Sequence, residues 1–585
     1  MIKYMEALDF FPYIHLRKGQ GIAIAEGCEA LECGYKHISL RAPPGTGKSG
    51  VGRTLMEFML NVRDWKSFLL TSTIHLQNQY QNDYSQNNPN FVNFKKITGR
   101  RNYDCKLSKC VLRCDDGLCR DRLSDDKPCP NYMHAKDLFI GSLPNGLPTC
   151  DFYEAKERAI HADITLMNYP LLCTENLFGH SYKKRNFMVL DEAHNIEDQI
   201  LLFVKESVAE STLQEDLSVE FPSNWRKIKD VNMWAEWMWN VGENYERLYN
   251  FTKDSNDPIK QAEIERFHGK AQTFKYKSEK LSNVNCEWVV CPDEHINTVE
   301  FKPVLGQDYV PELILKSADH HLYMSGSISD VDYLSNMIGV DPSEIYDINI
   351  ETPWNLRERN PILYYPVTRM HAKGNDFALL KRFKKLKPYL EWIFDRHADE
   401  KGLIHTNSTK YASILLKLFE DEPEFFNRFI TYHPSSDKYN DLNLPTKTEA
   451  IHLLKKSNEP KILVSYSLWE GVDLPDDDCR FQVFTKAPWL NPNDEVVQKH
   501  RTLDPDWYNK VTAQKFIQGV GRGMRSADDT CMNYVLDEGF ETILGDNSPL
   551  PMQIRDSITK YPLKKDFHLI RNTDTYLTQE KIMVR

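Results

Sequence analysis

"LRAPPGTGKSG", Leu40–Gly50, is the stretch on which the fold turns. Apolar residues precede it ("HISL"), and a helix-like run, "VGRTLMEFML", follows. Strand, tight loop and helix in that order form the setting in which a backbone loop cradles phosphate. The pattern is AxxxxGKS, with Ala42 where a first glycine usually stands. In the loop that follows Pro44, the main-chain N–H groups of Gly45, Thr46 and Gly47 face the phosphates, and the glycines let them curl around an anion. Lys48 is the cation for the β and γ phosphates, and Ser49 supplies a hydroxyl for Mg2+. The helix that starts there adds the positive end of its dipole.

A second segment, "RNFMVLDEAHNIED", runs from Arg185 to Asp198. "FMVL" reads as a short buried strand. It delivers Asp191 and Glu192 to its C-terminal end, where open α/β sheets bind ligands. Asp191 is placed to hold Mg2+, and Glu192 to orient and deprotonate the attacking water. A third segment, "QKFIQGVGRGMR", Gln514–Arg525, contains Gln518, Arg522 and Arg525 as QxxGRxxR. On a helix the two arginines share a face, from which they reach a γ-phosphate across a cleft. The three segments lie far apart in the chain. This implies two α/β lobes with ATP between them, a motor layout in which closure on ATP moves one lobe against the other.

The chain has 585 residues, enough for roughly three to five domains. No basic end followed by an apolar run marks a secretory signal, and no stretch is long enough to span a membrane. Thirteen cysteines, an odd number, without such a signal point to a reducing intracellular compartment. There, clustered thiols more often bind metal than form disulfides. Six of the thirteen, Cys105, Cys110, Cys114, Cys119, Cys129 and Cys150, crowd into one polar stretch. The net charge of −11 argues against nucleic acid only weakly, because local distribution matters more. From Lys95 to Arg113 there are seven basic residues and one acid, Asp104, a candidate phosphate-contacting surface.

With these residues in place the chain resembles the XPD/DinG group of superfamily 2 helicases along nearly its whole length. "LLTSTIHLQNQY" resembles motif Ia, "YMSGSI" motif III, "KGLIHTNSTKYA" motif IV and "ILVSYSLWEGVDLP" motif V. The third position of Ser325–Gly326–Ser327 departs from the threonine usual in the group. "FPYIHLRKGQ" resembles the segment before the phosphate loop, which carries Gln20 over as an adenine contact. Motif V carries over Gly471 and Asp473 as nucleotide contacts. "GRRNYDC" resembles the first-ligand segment of a four-cysteine iron–sulfur site. The resemblance thus implies a 4Fe–4S cluster with Cys105 and Cys150 as outer ligands. It favours Cys119 and Cys129 as the inner pair, with Cys110 and Cys114 as rivals. Four-cysteine zinc is the alternative, since these spacings also suit tetrahedral zinc.

The fold so implied is α/β, with two RecA-like parallel-sheet motor domains, an inserted iron–sulfur lobe and a small helical arch. The expected boundaries are 1–98, 159–205 and 300–348 for the first motor domain, with the cluster lobe at 99–158. The arch takes 206–299 and the second motor domain 349–585. Within the arch, Trp234, Trp237, Met238, Val241, Tyr245 and Leu248 fall at helical spacing. They read as a core stripe, or less simply as a platform for bases. The implied activity is an ATP- and Mg2+-dependent DNA helicase, a monomer moving 5′→3′ on single-stranded DNA and opening forked duplexes. The rivals are a DNA-stimulated ATPase clamp that separates no strands and a DEAH-type RNA helicase.

Overall fold

A computed structural model describes residues 2–43, 45–106, 113–115, 150–214, 217, 219–253, 258–283, 285–293, 296–352, 355–371, 376–433, 444–469, 474–524, 529–545 and 548–561. The chain first lays down β1 (His37–Arg41), β2 (Ser67–Thr71), β3 (Phe94–Lys96), β4 (Ile164–Asn168) and β5 (Arg185–Asp191). It then leaves for an insertion that carries β6 (Glu206–Ala209), β7 (Trp288–Asp293) and β8 (Thr298–Pro303). It returns as β9 (Ala318–Ser325) and β10 (Ile345–Asn349). These seven non-insertion strands form one sheet in the order β10-β1-β9-β5-β2-β4-β3, parallel throughout. β2 is buried along its whole length and β1 and β5 along nearly all of it, as befits a sheet covered on both faces.

The helix Lys48–Arg63 packs Val51, Leu55, Met56, Phe58 and Met59 into this core. It lies so close to the sheet that a Cβ at Gly52 would stand 2.8 Å from the Met324 sulfur. The helix stops where Asp64 turns into the left-handed region, with φ of 55°.

The second lobe carries β11 (Ile362–Thr368), β12 (Gly402–His405), β13 (Phe429–Ile430), β14 (Ile462–Ser465), β15 (Phe481–Phe484), β16 (Met532–Asp537) and β17 (Ile558–Lys560). Their order is β13-β14-β12-β15-β16-β11-β17, again all parallel.

The insertion is built differently. Helices Val231–Thr252 and Pro258–Leu281 pack against each other, with Gly242 set close to the Ala271 carbonyl. Trp234, Met238, Val241 and Tyr245 are buried, and Trp237 and Leu248 half-buried, so the stripe is core and not a platform for bases. Trp234 meets Phe221, Trp237 and Phe301 edge to face. The helical expectation was incomplete, because β6, β8 and β7 form an antiparallel sheet that runs on to Pro303. The "CEWVVC" run leads into its outer strand and leaves Cys286 and Cys291 half-buried. Cys28, Cys173, Cys479 and Cys531 are core residues, whereas Cys33 is exposed.

The lobes touch. Val497, Trp507 and Val511, on the second-lobe helices Glu495–Leu503 and Trp507–Val520, join the apolar core shared by the first lobe and the insertion. Ion pairs border this seam: Lys229–Glu495 at 2.6 Å, Lys499–Glu287 at 3.1 Å and Lys510–Asp330 at 3.3 Å. Among the described residues no helix is long and apolar enough to cross a membrane.

Candidate nucleotide-hydrolysis site

Three neighbouring strands, β1, β9 and β5, bring the site together. Arg41 pairs with Ser325 and Met324 with Asp191, so the loop after β1, the end of β9 and the end of β5 share one edge. This is the carboxyl edge at which open parallel sheets place their ligands. The Ala42 amide ties the loop to β9 by donating to the Ser325 carbonyl at 3.0 Å.

Gly45 and Gly47 hold φ near 80°, a region that glycine enters without a Cβ penalty. At Gly47 a Cβ would also meet the Gln20 amide nitrogen at 2.4 Å. Thr46 donates its hydroxyl to the Pro43 carbonyl at 2.7 Å. No side chain caps the helix start at Gly47, which leaves its N–H groups for an anion. Lys48 Nζ lies over the loop and donates to the Ala42 carbonyl at 3.2 Å. Gln20, only 2% exposed, accepts from the Arg17 amide at 2.7 Å and donates to the Gly47 carbonyl at 2.9 Å. Its amide therefore braces the phosphate loop. The Arg17 guanidinium adds a hydrogen bond to the Gly45 carbonyl.

Asp191 is buried and held from three sides. Its Oδ2 accepts from the Tyr80 hydroxyl at 2.9 Å, its Oδ1 from the Glu192 amide at 3.1 Å, and its carbonyl from the Tyr169 hydroxyl at 3.1 Å. Burial and the Glu192 carboxylate push the Asp191 carboxyl up to about 6, against the pull of Lys48 and the Tyr80 bond. Glu192 has φ of 50°, and its side chain is about one-third exposed (35%) beside the loop.

His194 links the lobes. Its Nδ1 lies 2.9 Å from Ser325 Oγ and 3.3 Å from Glu192 Oε2. Its Nε2 meets the Gln518 amide from the second lobe, which also donates to Ser327 Oγ at 3.4 Å. Nε2 of the ring thus faces the second lobe, and Nδ1 faces Ser325 and Glu192 in the first. Gln514, one turn earlier, donates to the His194 carbonyl at 3.5 Å.

The helix Trp507–Val520 ends before the arginines, and Arg522 sits in a short 3-10 turn, Gly521–Gly523. Its Nε donates to the Trp469 and Gln518 carbonyls at 3.2 and 3.1 Å. Pro44, Gly471, Asp473 and Arg525 lie outside the described residues.

In the cysteine stretch, Cys114 lies opposite Tyr103 across an antiparallel bridge between Asp104 and Arg113, its amide donating to the Tyr103 carbonyl at 2.9 Å and its thiol to the Asp104 carbonyl at 3.4 Å, one residue before Cys105. Cys150 precedes the helix Asp151–Ile160, and all three thiols belong to one apolar cluster. Cys110, Cys119 and Cys129 lie outside the described residues. Among the described residues no group of three or more His, Cys, Asp or Glu side chains could hold a metal ion. Much of the basic run is paired internally: Lys106 with Asp151, Arg113 with Asp104, and Arg100 with the Tyr153 hydroxyl. Arg101 is exposed.

Tyr80, Tyr169, His194, Ser325 and Arg17 went unassigned in the sequence. The one signal for Tyr80 was the spacing of Gln77, Tyr80 and Tyr84, which marks a buried helical face without saying what that face touches.

A family model described as a helicase C-terminal domain matches residues 394–548, and a second, DEAD_2, matches residues 87–213. The chain is 19% identical over 483 residues to the ATP-dependent DNA helicase YoaA of Escherichia coli (strain K12), covering 72% of each chain. It is 21% identical over 554 residues to the ATP-dependent DNA helicase XPD of Sulfolobus acidocaldarius, covering 86% of this chain and 93% of that one. A solved XPD helicase matches 94% of this chain and 100% of its own with a TM-score of 0.55 at 15% identity. The S. tokodaii Xpd4 structure matches 93% and 100%, with a TM-score of 0.52 at 15% identity.

Proposed function

We propose that this chain, an XPD/DinG-like superfamily 2 helicase, couples Mg-ATP hydrolysis between its lobes to 5′→3′ movement on single-stranded DNA and to the opening of forked duplexes. The ATP-dependent DNA helicase reading is supported by its relatives and by both family models. One observation carries the coupling: Gln518 of the second lobe meets His194, two residues past Glu192.

The chemistry follows from the residues on this edge. The loop amides and Lys48 receive the phosphates. Ser49 and Asp191 are hard oxygen donors at the loop's mouth, the kind Mg2+ takes. Bound there, the metal supplies positive charge to the phosphoryl oxygens. Glu192 orients the attacking water and accepts its proton. His194 stands beside that carboxylate, its Nδ1 3.3 Å from Oε2, and steadies it. Arg522 and Arg525 bring cations from the second lobe as charge develops on the transferred group. By the same resemblance Gly471 and Asp473 serve as nucleotide contacts, and Gln20, which braces the loop, serves the adenine. Opening and closing of the lobes would then tie each of these contacts to a step along DNA.

The same reading gives the cysteine lobe a 4Fe–4S cluster on Cys105, Cys119, Cys129 and Cys150. Thiolates shielded by apolar surroundings are the soft donors that such a group takes, and Cys105, Cys114 and Cys150 each pack on the apolar core. Cys114 competes for an inner position because its thiol lies at the Asp104 carbonyl, one residue before Cys105. Bound, the cluster would cross-link a stretch poor in apolar residues. Iron and sulfide content of protein purified without oxygen, followed by Cys→Ser at all six positions, assigns the ligands. Four residues whose loss releases iron, among them Cys105 and Cys150, are expected. Stoichiometric zinc in a colourless protein refutes the cluster.

The protein is taken as an intracellular monomer. The deciding experiment compares a forked duplex with a 5′ tail and one with a 3′ tail. Unwinding of the 5′-tailed fork alone is expected. ATP hydrolysis on DNA without strand separation would leave only a clamp, and stimulation by RNA alone would leave an RNA helicase.

A further inference from the structure

We propose that Tyr80 is a positioning residue for the hydrolytic metal, holding the Asp191 carboxylate in place through its phenol. This rests on the reading above that Ser49 and Asp191 serve Mg2+. Tyr80 comes from the middle of the helix Ile74–Gln86, whose buried face carries Gln77, Tyr80 and Tyr84. Its ring is buried, and its hydroxyl donates to Asp191 Oδ2 at 2.9 Å. Among the described residues Tyr80 gives the one side-chain hydrogen bond to this carboxylate, the other oxygen being held by the Glu192 amide.

An apolar residue would fill this place equally well. A buried hydroxyl is costly unless it is bonded, so the phenol is tolerated here because of its bond to Asp191. The helix that carries Tyr80 therefore fixes, at the end of β5, one oxygen of a carboxylate that a small octahedral cation needs at a defined distance. It also restricts the rotation of a carboxylate that has to stay ionised away from water.

The test is Tyr80→Phe, which keeps the ring and its packing and removes the bond. Three quantities are measured on the full chain: Mn2+ binding in the presence of ADP by electron paramagnetic resonance, ADP binding in EDTA by calorimetry, and the Mg2+ dependence of ATP hydrolysis. Expected are about tenfold weaker Mn2+ binding and a similar rise in the Mg2+ needed for half-maximal rate, the loss of one hydrogen bond to a charged group. Metal-free ADP binding should not change. In an Asp191→Asn background, Tyr80→Phe should add nothing further. Wild-type Mn2+ affinity in Tyr80→Phe overturns the proposal. So does an equal loss of metal-free and metal-dependent binding, which would mark a merely structural tyrosine. A wild-type protein that binds no metal with ADP would instead overturn the ATPase assignment itself.

Discussion

The carboxyl edge of the first lobe and the helix pair of the insertion are held together by opposite means. At the edge, named polar atoms meet named polar atoms: Gln20 with Gly47, Tyr80 with Asp191, His194 with Ser325. In the insertion, rings fill space, with Trp234 turned against Phe221, Trp237 and Phe301. The first arrangement fixes directions and the second fixes volumes. A site that must hold a phosphate, a cation and a water needs directions, whereas a strut needs only volume.

If that contrast is right, damage at the edge should fall on turnover, and damage in the insertion on stability. The largest effect is expected at Glu192. Glu192→Gln should still bind ATP while kcat falls about a thousandfold, as for loss of a general base. Lys48→Ala should lose nucleotide binding or hydrolysis, and normal turnover in either purified variant breaks the assignment. Next comes Trp234→Ala, which should cost about 3–5 kcal/mol in urea unfolding. Its ATPase rate per folded molecule should hold, so a matching fall in that rate would tie the insertion to the chemistry. The seam between the lobes should show a smaller effect. Gln518→Ala should lower DNA-stimulated kcat about tenfold with ATP affinity nearly unchanged, the size of a typical coupling between sites. An unchanged kcat would mean the His194 contact is incidental.

An effect confined to the pH dependence of stability should come from Glu197. This buried side chain accepts from the Gly306 amide at 3.0 Å and packs near Trp507 of the second lobe. Burial pushes its carboxyl up from 4.5 to about 8. The native state thus keeps a proton that the unfolded chain gives up, and stability falls as pH rises from 4.5 to 8. Glu197→Gln should remove that slope and raise Tm more at pH 8 than at pH 5. Equal shifts at both pH values would place the effect elsewhere.

Much of the edge was legible in the sequence because its motifs are dense. In "PPGTGKSG" and "LDEAH" nearly every residue has a backbone or phosphate role, so spacing alone locates them. Tyr80 was hidden because helical periodicity tells which face is buried and not which atom it meets. His194 was in view but silent, since its partners Ser325 and Gln518 stand more than a hundred residues away. Gln20 was carried over as an adenine contact, and the use of its amide on Gly47 was out of view because it depends on a left-handed turn that residue types only permit. The second-lobe arginines were read onto one helical face, yet the helix gives way to a 3-10 turn at Gly521. The three-stranded sheet was missed because one of its strands, β6, lies far in sequence from the hairpin it joins.

The position of β9 between β1 and β5 has a consequence for how the protein is made. β1 and β5 are complete by residue 191, but the strand that joins them ends at residue 325. Until it emerges from the ribosome, two apolar strands stand with open edges, the condition in which nascent chains pair wrongly. At ordinary rates of synthesis that exposure lasts on the order of ten seconds. The nascent chain therefore passes through its most aggregation-prone interval while the insertion is being translated. A message truncated within the insertion would release a half-sheet with no middle, for chaperones to hold or proteases to clear.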